Sequence, residues 1–180
     1  MLFFIIIFLV IIQRITEVFI AKRNEKKMLA QGAYEVGASH YPYMVTLHVS
    51  FFVCLIIETL IFNRGISPLF PLFFLIFLFV QALRIWCLRS LGSFWNTKII
   101  ILQGAQVVTK GPYLYLKHPN YVVVCIEIVL LPLMFQAYFT AACFTLFNLA
   151  MLSVRIPLEE KALMEVTNYN EEFQKKISAS

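Results

Sequence analysis

Long apolar stretches dominate this chain, and short polar breaks divide them. A helix that crosses a bilayer needs about 20 mostly apolar residues, so the stretches read as membrane segments. They are Met1–Ala21, about Tyr41–Phe62, about Pro68–Leu88, about Tyr121–Phe135 and about Ala137–Val154. The last two are short and joined by almost nothing, with Pro132 near the joint, which predicts a tight helical hairpin. The fourth is the shortest and is expected to tilt little or to penetrate only part of the bilayer. No basic region precedes the first stretch and no small-residue cleavage site follows it, so a retained helix is expected there.

The breaks are unequal in charge. The first holds Lys22, Arg23, Lys26 and Lys27, and the third holds Arg89, Lys98, Lys110 and Lys117. The tail adds Lys161, Lys175 and Lys176, whereas the second break, Asn63–Ser67, has Arg64 alone. Lys and Arg collect on the cytoplasmic side of membranes. The N-terminus is therefore expected outside, and the first and third breaks and the C-terminus in the cytoplasm. Three pieces then face the cytosol: Lys22–His40, Arg89–Asn120 and Arg155–Ser180.

Composition supports the same reading. The chain of 180 residues is 61% hydrophobic and 14% charged, with mean hydropathy +0.80. A soluble domain would hold about 45–50% apolar and about 25% charged residues. The fold class expected is thus all-α, a single integral-membrane domain over residues 1–180 with five transmembrane helices. The net charge of +5 is the loop bias, and it also attracts anionic lipid heads. Its basic residues are scattered between helices, so no nucleic-acid site is expected. Cys54, Cys87, Cys125 and Cys143 sit inside apolar runs without metal-ligand spacing, and read as small buried hydrophobes. His40, His48 and His118 have no zinc spacing, and no phosphate-binding glycine motif is present.

Two polar knots carry candidate chemistry. The first is GPYLYLKHPNY, residues 111–121. Gly111 and Pro112 suit a tight turn, and Pro119 suits the first turn of the fourth helix. Its N-terminal backbone N–H groups can then face a ligand. Tyr113, Tyr115 and Tyr121 equally suit an aromatic belt at the membrane surface. The second knot is RIPLEEKAL, residues 155–163. Here Arg155 suits the cytoplasmic end of the fifth helix. Pro157 predicts a break, with a new tail helix starting there and Glu159 and Glu160 near its positive end. Arg14, Glu17, Glu58, Arg84 and Glu127 are charged positions within apolar stretches. Such groups point inward or pair. Arg84 is close enough to the cytoplasmic end to snorkel. Glu127 has no sequence-local partner and is a candidate for lining a cavity.

In combination, VVTKGPYLYLKHPNY (107–121), two paired helices and R-x-x-x-E-E (155–160) resemble the isoprenylcysteine carboxyl methyltransferase family over about Leu91–Phe173. That resemblance implies an integral-membrane enzyme using S-adenosyl-L-methionine from the cytosol. It implies cofactor contacts at Ala105, Gln106, Val107, Val108, Tyr113, His118, Pro119, Asn120, Tyr121 and Glu159, and a substrate-contacting arginine at Arg155. Arg155 and Glu159 would be the residues closest to catalysis. Eukaryotic members have His where this chain has Ala105. Leu91–Ile101 looks more like a bacterial branch whose acceptors need not be prenylated proteins, which implies the bacterial plasma membrane. The implied acceptor is lipophilic, either a prenylcysteine-type carboxylate or a lipid-tailed enol or phenol such as an alkylpyrone. The alternatives are a non-enzymatic small membrane protein and a membrane reductase using a nicotinamide cofactor.

Overall fold

The computed structural model describes residues 1–169, so Lys175 and Lys176 of the expected cytoplasmic tail, and Phe173, lie outside the described residues. Five α-helices are present: α1 (Leu2–Leu29), α2 (Tyr41–Ile61), α3 (Phe70–Leu91), α4 (Pro119–Leu133) and α5 (Tyr138–Val166). Among the described residues, α1, α2, α3 and α5 are long and apolar enough to cross a membrane. The expected count of five spanning helices is corrected to four. At 15 residues α4 is about 22 Å long, short of a hydrocarbon core of about 30 Å.

Three further corrections have physical reasons. First, α1 does not end near Ala21 but runs on through the charged stretch to Leu29. Lys, Arg, Glu, Met and Leu are good helix formers, and no Pro or Gly intervenes before Gly32. Second, α5 passes straight through Pro157 and spans 29 residues, so the hairpin has one short arm and one long one. The missing N–H and the ring clash are outweighed by packing: Leu158, Ala162, Leu163 and Val166 bury against Ile99, Ile101 and Val36. Third, those isoleucines belong to a two-stranded antiparallel ribbon that interrupts the otherwise all-α fold. Strand β1 (Tyr34–Val36) pairs with β2 (Ile99–Ile101), with Glu35 opposite Ile100.

The ribbon joins the first and third breaks at one end of the bundle. Lys98 reinforces it, with Nζ 2.8 Å from Glu25 Oε1 and 2.9 Å from Glu35 Oε2. These carboxylates raise the Lys98 pKa above its ordinary value, so the ammonium is firmly charged. The opposite end is compact. Glu58 on α2 accepts from Phe139 N (3.1 Å), Thr140 N (2.7 Å) and Thr140 Oγ1 (2.7 Å), and so caps the start of α5 from outside its own sequence. Between the ends, Phe3, Phe51, Phe77, Leu131, Phe135 and Phe144 belong to the main apolar core.

Arg14, Glu17, Arg84 and Glu127 are paired with one another. Arg84 does not snorkel. It is 4% exposed and bonds Glu127 through two nitrogens and Glu17 at 3.0 Å. Arg14 reaches Glu17 (2.7 Å) and Glu127 (2.8 Å), and Gln81 donates to Glu127 at 2.6 Å. The partners that Glu127 lacks in local sequence come from α1 and α3.

Candidate active site

The turn at residues 111–114 is a short 3₁₀ segment, Gly111–Leu114, lying against α3. Gly111 has φ +61°, and a Cβ there would run into Ser90 and lie 2.9 Å from Trp86 Nε1. Only glycine meets both demands. Pro112 and Tyr113 are buried behind the turn. Burial, more than the nearby ionisable groups, pushes the Tyr113 phenol well above its ordinary pKa, so it stays neutral. The chain then reaches His118, the residue just before α4, with Pro119 in the first helical turn as expected.

The start of α4 faces the middle of α5. The His118 and Tyr121 rings stack at 5.2 Å. His118 Nε2 is 3.1 Å from Glu160 Oε1, which also meets the Tyr169 hydroxyl at 3.1 Å and Lys117 Nζ at 3.4 Å. The Tyr121 hydroxyl donates to Glu159 Oε2 and accepts from Arg155 Nε–H at 2.8 Å. Because α5 is continuous, Arg155 and Glu159 share one face, four residues apart. They are joined through Tyr121 rather than through each other. The expected separation of Arg155 and Glu159 onto two helices is thereby corrected.

Arg155 is 4% exposed, yet no carboxylate lies within ion-pair distance of it among the described residues. Its Nη2 donates to Thr97 O at 2.7 Å, and its Nη1 is directed at Met44 Sδ, 3.1 Å away. A thioether is a weak acceptor. Burying a charge without a counter-charge is costly unless something else supplies one.

Residues 104–108 dock on the far end of α5. Gly104 N bonds Val166 O at 2.9 Å, Val107 N bonds Asn168 Oδ1 at 2.8 Å, and Asn168 Nδ2 bonds Gln106 Oε1 at 2.6 Å. The two ends of this arrangement meet at one cavity of about 630 Å³. Ala105, Gln106, Val107, Val108, Tyr113, His118, Asn120, Tyr121, Arg155 and Glu159 line it, while Pro119 lies behind the wall. Asn120 Oδ1 is buried without a hydrogen-bond partner among the described residues. The cavity continues past these residues to Val10 and Ile11 of α1, Phe51 and Phe52 of α2 and Leu131 of α4. Ile15, Val18 and Phe19 on α1, and Val45 and Val49 on α2, line the cavity and are exposed.

Sequence reasoning did not find Met44, Thr97, Asn168 and Tyr169. No motif marks them, because each acts through contacts made across the fold. Among the described residues no cluster of His, Cys or Glu could hold a metal ion.

Four helices long and apolar enough to cross a membrane, around a cavity with a polar lip at one end, define a class: integral membrane proteins with an internal site. Comparison makes this particular. The model of the isoprenylcysteine carboxyl methyltransferase family matches residues 72–165, and the chain belongs to that family. It is an integral membrane protein, and membership implies a methyltransferase in general. The chain is 48% identical to the uncharacterized protein YpbQ of Bacillus subtilis, over 91% of this chain and 98% of that one. It is 32% identical to an uncharacterized protein of Haemophilus influenzae, over 80% of this chain and 84% of that one. No solved structure matches.

Proposed function

We propose that this protein transfers a methyl group from S-adenosyl-L-methionine to an oxygen of a lipophilic anionic acceptor. The observation that carries the reading is Arg155: a buried guanidinium in the shared cavity, with one edge on a thioether and no carboxylate beside it among the described residues. A carboxylate, enolate or phenolate would supply the missing counter-charge, and the planar guanidinium suits a delocalised oxyanion.

The cofactor fits the other half of the lip. S-adenosyl-L-methionine supplies, when bound, a methyl group made electrophilic by its sulfonium. Ala105, Gln106, Val107 and Val108 would form one wall of its site, with Tyr113 and the stacked His118 and Tyr121 as apolar faces. Glu159 would meet its ammonium or hydroxyls, and the unpartnered Asn120 Oδ1 suits a further donor. Pro119 supports from behind by fixing the start of α4.

The acceptor oxygen is already ionised near neutral pH if it is a carboxylate or an acidic enol, so no strong base is needed. Tyr121 is not that base. Its hydroxyl donates a hydrogen bond to Glu159 and accepts one from Arg155 Nε–H, so it positions both. What the chain supplies is placement within about 3–3.5 Å of the attacked carbon and exclusion of water. The exposed wall between α1 and α2 gives an acceptor tail a way in from lipid. The lip faces the cytoplasm in this reading, because Lys22, Arg23, Lys26, Lys27, Lys98, Lys110 and Lys117 gather at its end. A small lipid-tailed enol or phenol such as an alkylpyrone is favoured over a prenylcysteine carboxylate, on the bacterial character of Leu91–Ile101.

Titration of the purified protein with S-adenosyl-L-methionine and, separately, with a nicotinamide dinucleotide tests the reading. Binding of the first alone is expected, followed by methylation of an alkylpyrone or prenylcysteine probe. Binding of the nicotinamide cofactor alone would make it a reductase. Binding of neither would make it a non-enzymatic membrane protein.

A further inference from the structure

Polar side chains from all five helices line the cavity on the inner side of Arg155: Arg14 and Glu17 (α1), His48 (α2), Arg84 (α3), Glu127 (α4) and Asn148 (α5). They lie at a common level. Asn148 precedes Arg155 on α5 by seven residues, about 10 Å, and Glu127 follows Tyr121 on α4 by six, about 9 Å. His48 is one turn beyond Met44, which touches Arg155. Arg14 and Arg84 reach the same level because both bond Glu127.

The two arginines and the carboxylates of Glu17 and Glu127 balance one another and explain themselves as a brace between α1, α3 and α4. The polar groups opposite are not explained that way. His48 holds Met44 O through Nδ1 at 2.8 Å, which leaves the other ring nitrogen available. Asn148 is 3% exposed, and among the described residues its amide nitrogen meets only Cys125 Sγ, at 3.3 Å. Its carbonyl oxygen has no partner among the described residues. Arg14 engages Glu17 and Glu127 through its terminal nitrogens, so its Nε–H also lacks a protein acceptor among them. Polar groups at membrane depth are costly when unsatisfied, and a plain alkyl tail would satisfy none of these.

Building on the Arg155 reading, we propose that this level is a second polar subsite. It takes a neutral oxygen function, a hydroxyl or a carbonyl, that the acceptor carries part-way along its length from the oxyanion held at Arg155. The oxygen is neutral because the brace leaves no net charge for a second anion. It is a hydroxyl or carbonyl because the level offers both donors (Arg14 Nε–H, the Asn148 amide) and acceptors (His48, the Asn148 carbonyl).

The test is equilibrium binding to the full protein in lipid nanodiscs. The probes are hexadecanoic acid and its 3-, 7- and 12-hydroxy derivatives. The 7-hydroxy acid is expected to bind about tenfold tighter than the other three, the effect of one well-placed buried hydrogen bond. That preference should shrink in Asn148→Leu or in His48→Phe. S-adenosyl-L-methionine affinity and thermal unfolding, measured alongside, identify any variant that has lost its fold. Equal binding of all four acids to the wild-type protein overturns the subsite and leaves the Arg155 reading standing. A 7-hydroxy preference undiminished in both variants overturns it as well. If no acid binds while S-adenosyl-L-methionine does, the Arg155 reading and the subsite fall together.

Discussion

Glu58 and Arg155 are both buried charges near ends of the bundle, and their surroundings are opposite. Glu58, 5% exposed, accepts three hydrogen bonds at the start of α5 and has Arg64 Nη2 at 3.8 Å. Nothing is left for a ligand to do there. Arg155, 4% exposed, holds a backbone carbonyl and a tyrosine hydroxyl, has a sulfur on its remaining edge, and faces no carboxylate among the described residues. Buried charge alone does not separate structure from function. The completeness of its partners does. One end of the molecule uses a charge to close a helix turn, and the other keeps a charge incomplete beside a cavity.

Four measurements would break or sharpen that contrast. The largest effect is expected from Glu58→Ala, which frees the α5 N-terminus and leaves Arg64 without its partner. Stability should fall by about 3 kcal/mol. Methyl transfer per folded molecule should be unchanged. Thermal unfolding in detergent, with activity normalised to folded protein, checks both, and an activity loss without a stability loss would reverse the assignment of roles.

Arg155→Lys comes next. It keeps the charge and loses the planar fork, so methyl transfer should drop about 100-fold. Its melting temperature should match the wild type, since no carboxylate among the described residues depends on it. A large destabilisation would place Arg155 in the same class as Glu58.

Tyr121→Phe removes the hydroxyl that joins Arg155 to Glu159. S-adenosyl-L-methionine affinity should fall about tenfold, because Glu159 loses the group that aims it. Calorimetric titration reads this directly, and wild-type affinity would mean that Glu159 is placed by α5 alone.

The smallest effect concerns Lys98, a partly buried clamp that follows Thr97, whose carbonyl Arg155 holds. Its folded pKa is raised above the ordinary 10.5 by hydrogen bonds to Glu25 and Glu35. Its stabilisation is therefore full below about 10.5 and is lost as pH rises through the higher folded value. Wild type and Lys98→Met should differ by under about 1 kcal/mol at neutral pH. Melting curves should converge only in strong alkali. Convergence already at pH 8 would show that the clamp is not what holds the ribbon.

The chain's order of apolar and polar residues determined a good deal unaided. Hydrophobic length marked α1, α2, α3 and α5, because a span must satisfy its backbone internally and face lipid with apolar groups. Gly111, Pro112, His118 and Pro119 marked the turn and the start of α4, because their backbone preferences are local. The cavity-lining residues implied by the family resemblance were legible for the same reason: they sit in short contiguous motifs. Tertiary structure decided the rest. Pro157 reads locally as a break, yet contacts with Ile99 and Ile101, more than fifty residues away, hold α5 straight through it. Arg84 reads as a snorkelling residue, yet Glu127 and Glu17 draw it inward. Glu58 reads as an unexplained charge until the start of α5 is brought beside it. In each case a local tendency of a few kcal/mol is overruled by partners that sequence distance hides, and the incomplete shell around Arg155 exists only once those partners have been counted in space.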